Sequence, residues 1–182
     1  MYRKTKETEV TVEFGSQTAI STGIGFYDHM LELFAFWGGF PLKIQAKGDL
    51  FVDAHHTLED VGITLGQAIA EKLGDKAGIA RFGSGRVPMD ECLAQVDVDI
   101  SGRPYLVFNA DIRDEMTEEF FRALCFNAGI TLHINLLYGK NEHHKNEAIF
   151  KAFGFALGQA ARTTGGGAPS TKGAIAVDHT SH

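Results

Sequence analysis

One five-residue pattern is written twice in this chain, as His55-His56-Thr57-Leu58-Glu59 and as His143-His144-Lys145-Asn146-Glu147. Each copy opens a stretch with helical spacing, 55–73 (ended by Gly74) and 143–162, and the same succession of periodicities precedes both. In the first succession, 8–14 alternates with Val10, Val12 and Phe14 on one face, and 17–22 reads as a second strand. Positions 27–37 then set Met30, Leu31, Phe34 and Trp37 at helical spacing, and 42–46 is a short strand. In the second, 92–100 alternates, with Asp97 and Asp99 facing away from Val96, Val98 and Ile100. A strand over 103–109, a helix over 117–127 and a strand over 130–137 follow. Gly39, Leu42 and Ile44 answer to Gly129, Leu132 and Ile134, and "LGQA" at 65–68 returns at 157–160, displaced by about one helical turn. A doubled motif inside a doubled order of elements predicts duplication. The expected fold is α/β (α+β): two β-β-α-β-α half-domains, about 1–86 and 87–182, related by pseudo-twofold symmetry within one domain.

An α-helix turns each side chain by about 100° from the last, so the two histidines of a pair point in different directions and do not readily chelate one ion. His55 and Glu59 are i,i+4 neighbours on one face, as are His143 and Glu147. Each helix thus offers a histidine–glutamate pair to one ion and leaves His56 or His144 for another. Two such helices make two metal sites, each taking ligands from both halves. A single pair of this kind is ordinarily a solvated surface contact, but the two patterns hold four of the chain's 8 histidines. His29 and His133 add two more in apolar surroundings. Imidazole and carboxylate donors without thiolate suit Mn, Fe, Co, Ni or Zn, and a six-coordinate ion with open positions favours Mn²⁺ over closed tetrahedral Zn²⁺. His29 and Glu119 each stand ten residues before a matching glycine, Gly39 and Gly129. Glu119 is therefore the internal counterpart of His29 and the best eighth ligand. His133 matches Lys43 and reads as a neighbour of the site.

Hydrophobic residues form 44% of the chain, which suits a packed globular core. A net charge of −6 gives no general attraction to nucleic acid or to an anionic membrane, so anion binding falls to local basic groups. No apolar run reaches membrane-spanning length, and the charged start "MYRKTKETEV" lacks the apolar stretch of a signal peptide. Cys92 and Cys125 stand apart, as buried residues of a reducing compartment do. A cytoplasmic protein is expected.

Over nearly its whole length the chain resembles the imidazoleglycerol-phosphate dehydratase family of histidine biosynthesis. The resemblance rests on "RKTKET" from Arg3, "GIGFYDHML" from Gly23, "DAHHTLEDVGITLGQA" from Asp53, "RFG" from Arg81, "SGRPYL" from Ser101, "TLH" from Thr131, "HHKNEAIFKAF" from His143 and "PSTKG" from Pro169. It implies a fold of the ribosomal-S5-domain-2-like type and a 24-subunit shell. The active sites, each with two Mn²⁺ ions, would lie between subunits. The implied ligands are His29, His55, His56, Glu59, Glu119, His143, His144 and Glu147; many relatives carry His where Glu119 stands. Pseudo-symmetry groups His55, Glu59, His144 and Glu119 on one ion and His143, Glu147, His56 and His29 on the other. The chain departs from the family at Leu33 and Trp37, where Gln and His are frequent, and its loop "RTTGGGAPSTKG" is poor in arginine. Phosphate binding then rests on Arg81, Arg103 and Lys172, with Ser170, Thr171 and loop amides.

The reaction implied is dehydration of imidazole glycerol phosphate to imidazole-acetol phosphate. The C–H proton to be removed has no carbonyl beside it, so activation must come from the imidazole. Ions on the two ring nitrogens would stabilise an imidazolate, which expels the neighbouring hydroxyl and gives a diazafulvene. A carboxylate is needed for proton transfer, and by resemblance Glu7 of "TKET" is that group and a substrate contact. Metal storage or sensing would not call for Glu7, Arg81, Arg103 and Lys172 around the site, and a binuclear hydrolase would hold its ions about 4 Å apart or closer.

Overall fold

The computed structural model describes residues 1–171 and 175. The first half runs β1 (Tyr2–Lys4), β2 (Thr8–Phe14), β3 (Ala19–Ser21), α1 (Gly25–Gly38), β4 (Leu42–Gly48) and α2 (His55–Leu73). The second repeats it as β5 (Phe82–Met89), β6 (Cys92–Asp99), β7 (Tyr105–Asn109), α3 (Glu115–Ala128), β8 (Thr131–Tyr138) and α4 (Glu142–Ala161). The doubled α/β architecture is as expected, with one strand more in each half than the alternation reveals. β5 belongs wholly to the second sheet, so the second repeat begins at Phe82 and not near residue 87.

The two sheets have the same order, β1-β2-β4-β3 and β5-β6-β8-β7. In each, the second strand pairs antiparallel with the first and fourth, and the third joins the fourth in parallel. Val10 and Val12 of β2, with Leu42 and Ile44 of β4, turn one face inward and are fully buried. In the second sheet, Ala94, Val96, Leu132 and Ile134 do the same. The two missed strands are poor in the usual signals. β1 is three residues of which two are cationic, and β5 carries Gly83, Gly85 and Pro88. Those glycines are positional, because a Cβ on either would collide with the α4 backbone at Ala156 or Ala152.

The helices pair across the halves: α2 packs on α3 and α1 on α4. One core results, with Phe34 of α1 stacked on Phe153 of α4 at 4.9 Å. Gly66 of α2 lies against the Leu124 carbonyl of α3, and Gly154 of α4 against the Phe34 carbonyl of α1, each too close for a side chain. Gly66 and Gly154 are therefore the true counterparts. Gly62 extends one seam a turn earlier and Gly158 extends the other a turn later. The "LGQA" echo is out of register for this reason. No helix among the described residues is long and apolar enough to cross a membrane.

Candidate functional site

The crossing of α1 and α4 brings His29, His143 and Glu147 together. One ligand atom from each lies within 4.8 Å of the others. The His29 and His143 rings stack at 5.8 Å and 24°, and His143 Nε2 is 3.3 Å from Glu147 Oε2. Local structure sets these positions. Asn141 caps α4, its side chain accepting from the amides of His143 and His144. The Tyr27 hydroxyl bonds Asp114 at 2.7 Å and Thr117 at 3.0 Å, and Thr117 donates to Asn146 of α4 at 2.8 Å. This buried chain ties α1 and α4 to the start of α3. Phe26 lies edge-on to His143 at 5.6 Å. Burial raises the Glu147 carboxyl, but Lys151 at 2.6 Å, with His143 and His29 nearby, carries it below its ordinary value. Two exposed imidazoles and an ionised carboxylate form a donor set suited to a divalent cation.

The second histidine of each pair points elsewhere. The rings of His55 and His56 are 6.2 Å apart and nearly perpendicular at 88°; those of His143 and His144 are 6.4 Å apart at 82°. The helical argument against chelation by adjacent histidines holds in both. His56 Nδ1 lies 3.0 Å from Asp49, and His144 Nδ1 lies 2.8 Å from Glu91. These hydrogen bonds raise the affinity of both imidazoles for a proton. His144, with help from the Asn141 amide, holds Glu91 far below the usual carboxylate range. Asp49, Glu91 and Lys151 did not stand out in the sequence. Only Lys151, i,i+4 from Glu147, left a local trace.

The mirror grouping of His55, Glu59 and Glu119 is not drawn together to the same degree. Among the described residues, only His29, His143 and Glu147 converge within the span given above. Glu119 lies 3.7 Å from Arg122 Nε, one turn along α3. Glu59 is exposed, and the His55 amide donates to Asp53 at 2.8 Å. His133 sits on β8 between Asp97 and Val107, on the sheet face opposite the buried Leu132 and Ile134.

Arg3 Nε bonds Asp60 of α2 at 2.6 Å, and the Thr8 hydroxyl bonds the other oxygen of the same buried carboxylate. The Thr5 hydroxyl accepts from the amides of Glu7 at 3.1 Å and Thr8 at 3.0 Å and shapes the turn. The hairpin is thus docked on α2, and Glu7 is left exposed near His56, whose affinity for a proton it helps to raise. It lines a cavity of about 470 Å³ with Lys4, Lys6, Lys47, Asp49 and Phe51.

The basic group lies at the far end of α4. The Arg81 amide bonds the Ala160 carbonyl at 2.8 Å. Its guanidinium takes both oxygens of Asp99, at 2.8 and 3.3 Å, and the Pro169 carbonyl at 2.9 Å. The Asp99 bond raises its already high pKa. Arg81 therefore anchors the loop that carries Ser170 and Thr171. Arg103 is exposed, and its guanidinium has no hydrogen bond or ion pair among the described residues. Lys172 lies outside the described residues.

Fold and site define a class of protein, a duplicated α/β domain that builds an imidazole–carboxylate centre from both of its halves. Comparisons with known proteins give the family. A family model described as imidazoleglycerol-phosphate dehydratase matches residues 22–157. The imidazoleglycerol-phosphate dehydratase of Acetivibrio thermocellus is 55% identical, covering 95% of this chain and 96% of its own length. That of an Exiguobacterium is 50% identical, covering 95% of each. The crystal structure of the Staphylococcus aureus dehydratase superposes with a TM-score of 0.81 at 46% identity, covering 90% of this chain and 98% of that one. The Pyrococcus furiosus structure gives 0.87 at 41% identity, covering 96% and 100%. The chain belongs to the imidazoleglycerol-phosphate dehydratase family. It is accordingly an enzyme, a hydro-lyase of histidine biosynthesis.

Proposed function

We propose that this enzyme dehydrates D-erythro-imidazole glycerol phosphate to imidazole-acetol phosphate with Mn²⁺, as a cytoplasmic 24-subunit shell whose active sites lie between subunits. The convergence of His29, His143 and Glu147 is the observation that carries the metal-dependent reading. These donors fit a divalent cation, and with His56 they would hold one ion. His55, Glu59, Glu119 and His144 would hold the other. When bound, the two ions supply Lewis acidity at the substrate's ring nitrogens. Glu7, exposed beside His56, takes the C–H proton as the diazafulvene of the substrate passes to the enol. Arg103, Ser170, Thr171 and Lys172 bind the phosphate, and Arg81 holds the loop of Ser170 and Thr171 in place while presenting its remaining N–H groups.

The separation of the two groups supports a shared site. His143 opens α4 and Arg81 bonds Ala160 near its end, so a rise of about 1.5 Å per residue sets them roughly 25 Å apart. An imidazole joined to glycerol phosphate does not span that length. Histidines of one copy and basic residues of another would have to meet on one substrate. The test is the purified chain, stripped of metal and then reloaded with Mn²⁺, assayed for imidazole-acetol phosphate. Activity that returns with Mn²⁺ is expected. Full activity in verified metal-free protein, or none in loaded protein, overturns the proposal.

A further inference from the structure

Two hairpins that occupy equivalent places treat their glutamates differently. The β1–β2 pairs Arg3↔Val10 and Lys4↔Glu9 correspond to the β5–β6 pairs Val87↔Ala94 and Pro88↔Leu93. Continuing both registers into the turns sets Glu7 over Glu91. The Glu91 carboxylate is fully engaged. Its Oε1 accepts from the amides of Lys140 at 3.2 Å and Asn141 at 2.8 Å and from the Cys92 thiol at 3.3 Å, and its Oε2 accepts from His144 Nδ1 at 2.8 Å. The Glu7 carboxylate has no hydrogen bond among the described residues. In the first half, Asp49 does for His56 what Glu91 does for His144. Asp49 comes from a different element, the 49–54 connection before α2, which is longer than the 139–141 connection before α4.

We infer that Asp49 and Glu91 are positioning residues that fix the tautomer and ring orientation of His56 and His144, and that Asp49, brought in by the longer connection, leaves Glu7 free of that duty. The inference rests on the metal reading above. Its chemistry is that of donors and acceptors. An ionised carboxylate only accepts, so Nδ1 must carry the proton and Nε2 keeps the lone pair a cation needs. His144 Nε2 lies 3.8 Å from Asp90, which adds negative charge on the side where a cation would sit.

The two carboxylates respond differently to amide substitution. In Glu91→Gln, the donors around Oε1 retain the amide oxygen, so the NH₂ faces His144 Nδ1. That forces the proton to Nε2 and blocks ligation. Asp49 Oδ1 is buried and has no hydrogen-bond partner among the described residues, so in Asp49→Asn the oxygen is free to turn to Nδ1. The effect of Asp49→Asn should be milder than that of Asp49→Ala.

The experiment is Mn²⁺ binding to the full-length variants, read as ions per chain and as dissociation constant by competition with a chelator, with far-UV circular dichroism as the check on folding. Glu91→Gln and Asp49→Ala are each expected to weaken one ion by about 10–100-fold, with Asp49→Asn between Asp49→Ala and wild type. Glu7→Gln should leave both affinities unchanged. Added to His144→Ala, Glu91→Gln should cost nothing further. If Glu91→Gln and Asp49→Ala bind Mn²⁺ as wild type does while His144→Ala loses an ion, the inference is overturned and the metal reading stands. A Glu91→Gln effect that persists undiminished in the His144→Ala background also overturns it, since the residue then acts through the fold. If His144→Ala itself keeps both ions at wild-type affinity, the metal reading fails first. Should Glu91→Gln not fold, the Asp49 pair decides.

Discussion

Replacing Glu7 with glutamine removes a proton carrier and keeps its size. Because Glu7 anchors nothing in the fold, Glu7→Gln is expected to bind substrate with near-normal KM and to lose about 100-fold or more in kcat. Turnover within a few-fold of wild type would show that proton transfer lies elsewhere. Glu119 poses the second residue-scale question. It mirrors His29 in helix position, whereas His133 lies on the outer face of its sheet. Glu119→Ala is expected to lose about one ion per chain by ligand count, and His133→Ala to keep both. Glu119→His should keep both ions and shift preference toward Zn or Co, since imidazole is the softer donor. Elemental analysis of the three proteins checks this, and loss of an ion only in His133→Ala would reverse the assignment.

At the scale of elements, the site depends on how closely the helices approach. Gly66 and Gly154 let α2 and α4 lie against backbone carbonyls of α3 and α1. A methyl at either point must push two packed helices apart. Gly154→Ala is expected to destabilise by about 1–3 kcal/mol in denaturant titration, the usual cost of overpacking a tight core. It should also weaken metal binding, because α1 and α4 carry His29 and His143. Gly165→Ala, where no other described residue beyond its chain neighbours lies within 4 Å of the added Cβ, serves as a control for space; its positive φ makes any loss there a matter of backbone strain.

For the whole molecule, the prediction concerns assembly. If the motif halves that hold an ion come from different copies, ions shared across contacts contribute to assembly free energy. Chelation is therefore expected to abolish activity and break the proposed 24-subunit shell into smaller oligomers, with re-assembly on return of Mn²⁺. Sedimentation velocity with and without chelator reads this directly. An intact 24-subunit species in verified metal-free protein would separate assembly from metal.

What the sequence determined by itself is local or repeated. β2 and α2 have the bounds expected from alternation and from Gly74, because side-chain period and chain terminators act over a few residues. The divergence of paired histidines follows from helical rotation, and the His29–Glu119 correspondence from counting to equivalent glycines. β1 and β5 escaped because a short cationic strand and a glycine-rich one owe their state to neighbours distant in sequence. The six residues between Asp49 and His56 form no regular period, and Glu91 reaches His144 across 53 positions. No spacing rule joins such pairs; the sheet order and the turn of a hairpin bring them together. The same holds for Arg81. Sequence marks it as a cation, but only the tertiary structure ties it to Asp99 and Pro169 and sets it a helix length away from the histidines, since position in space is decided by how whole elements pack.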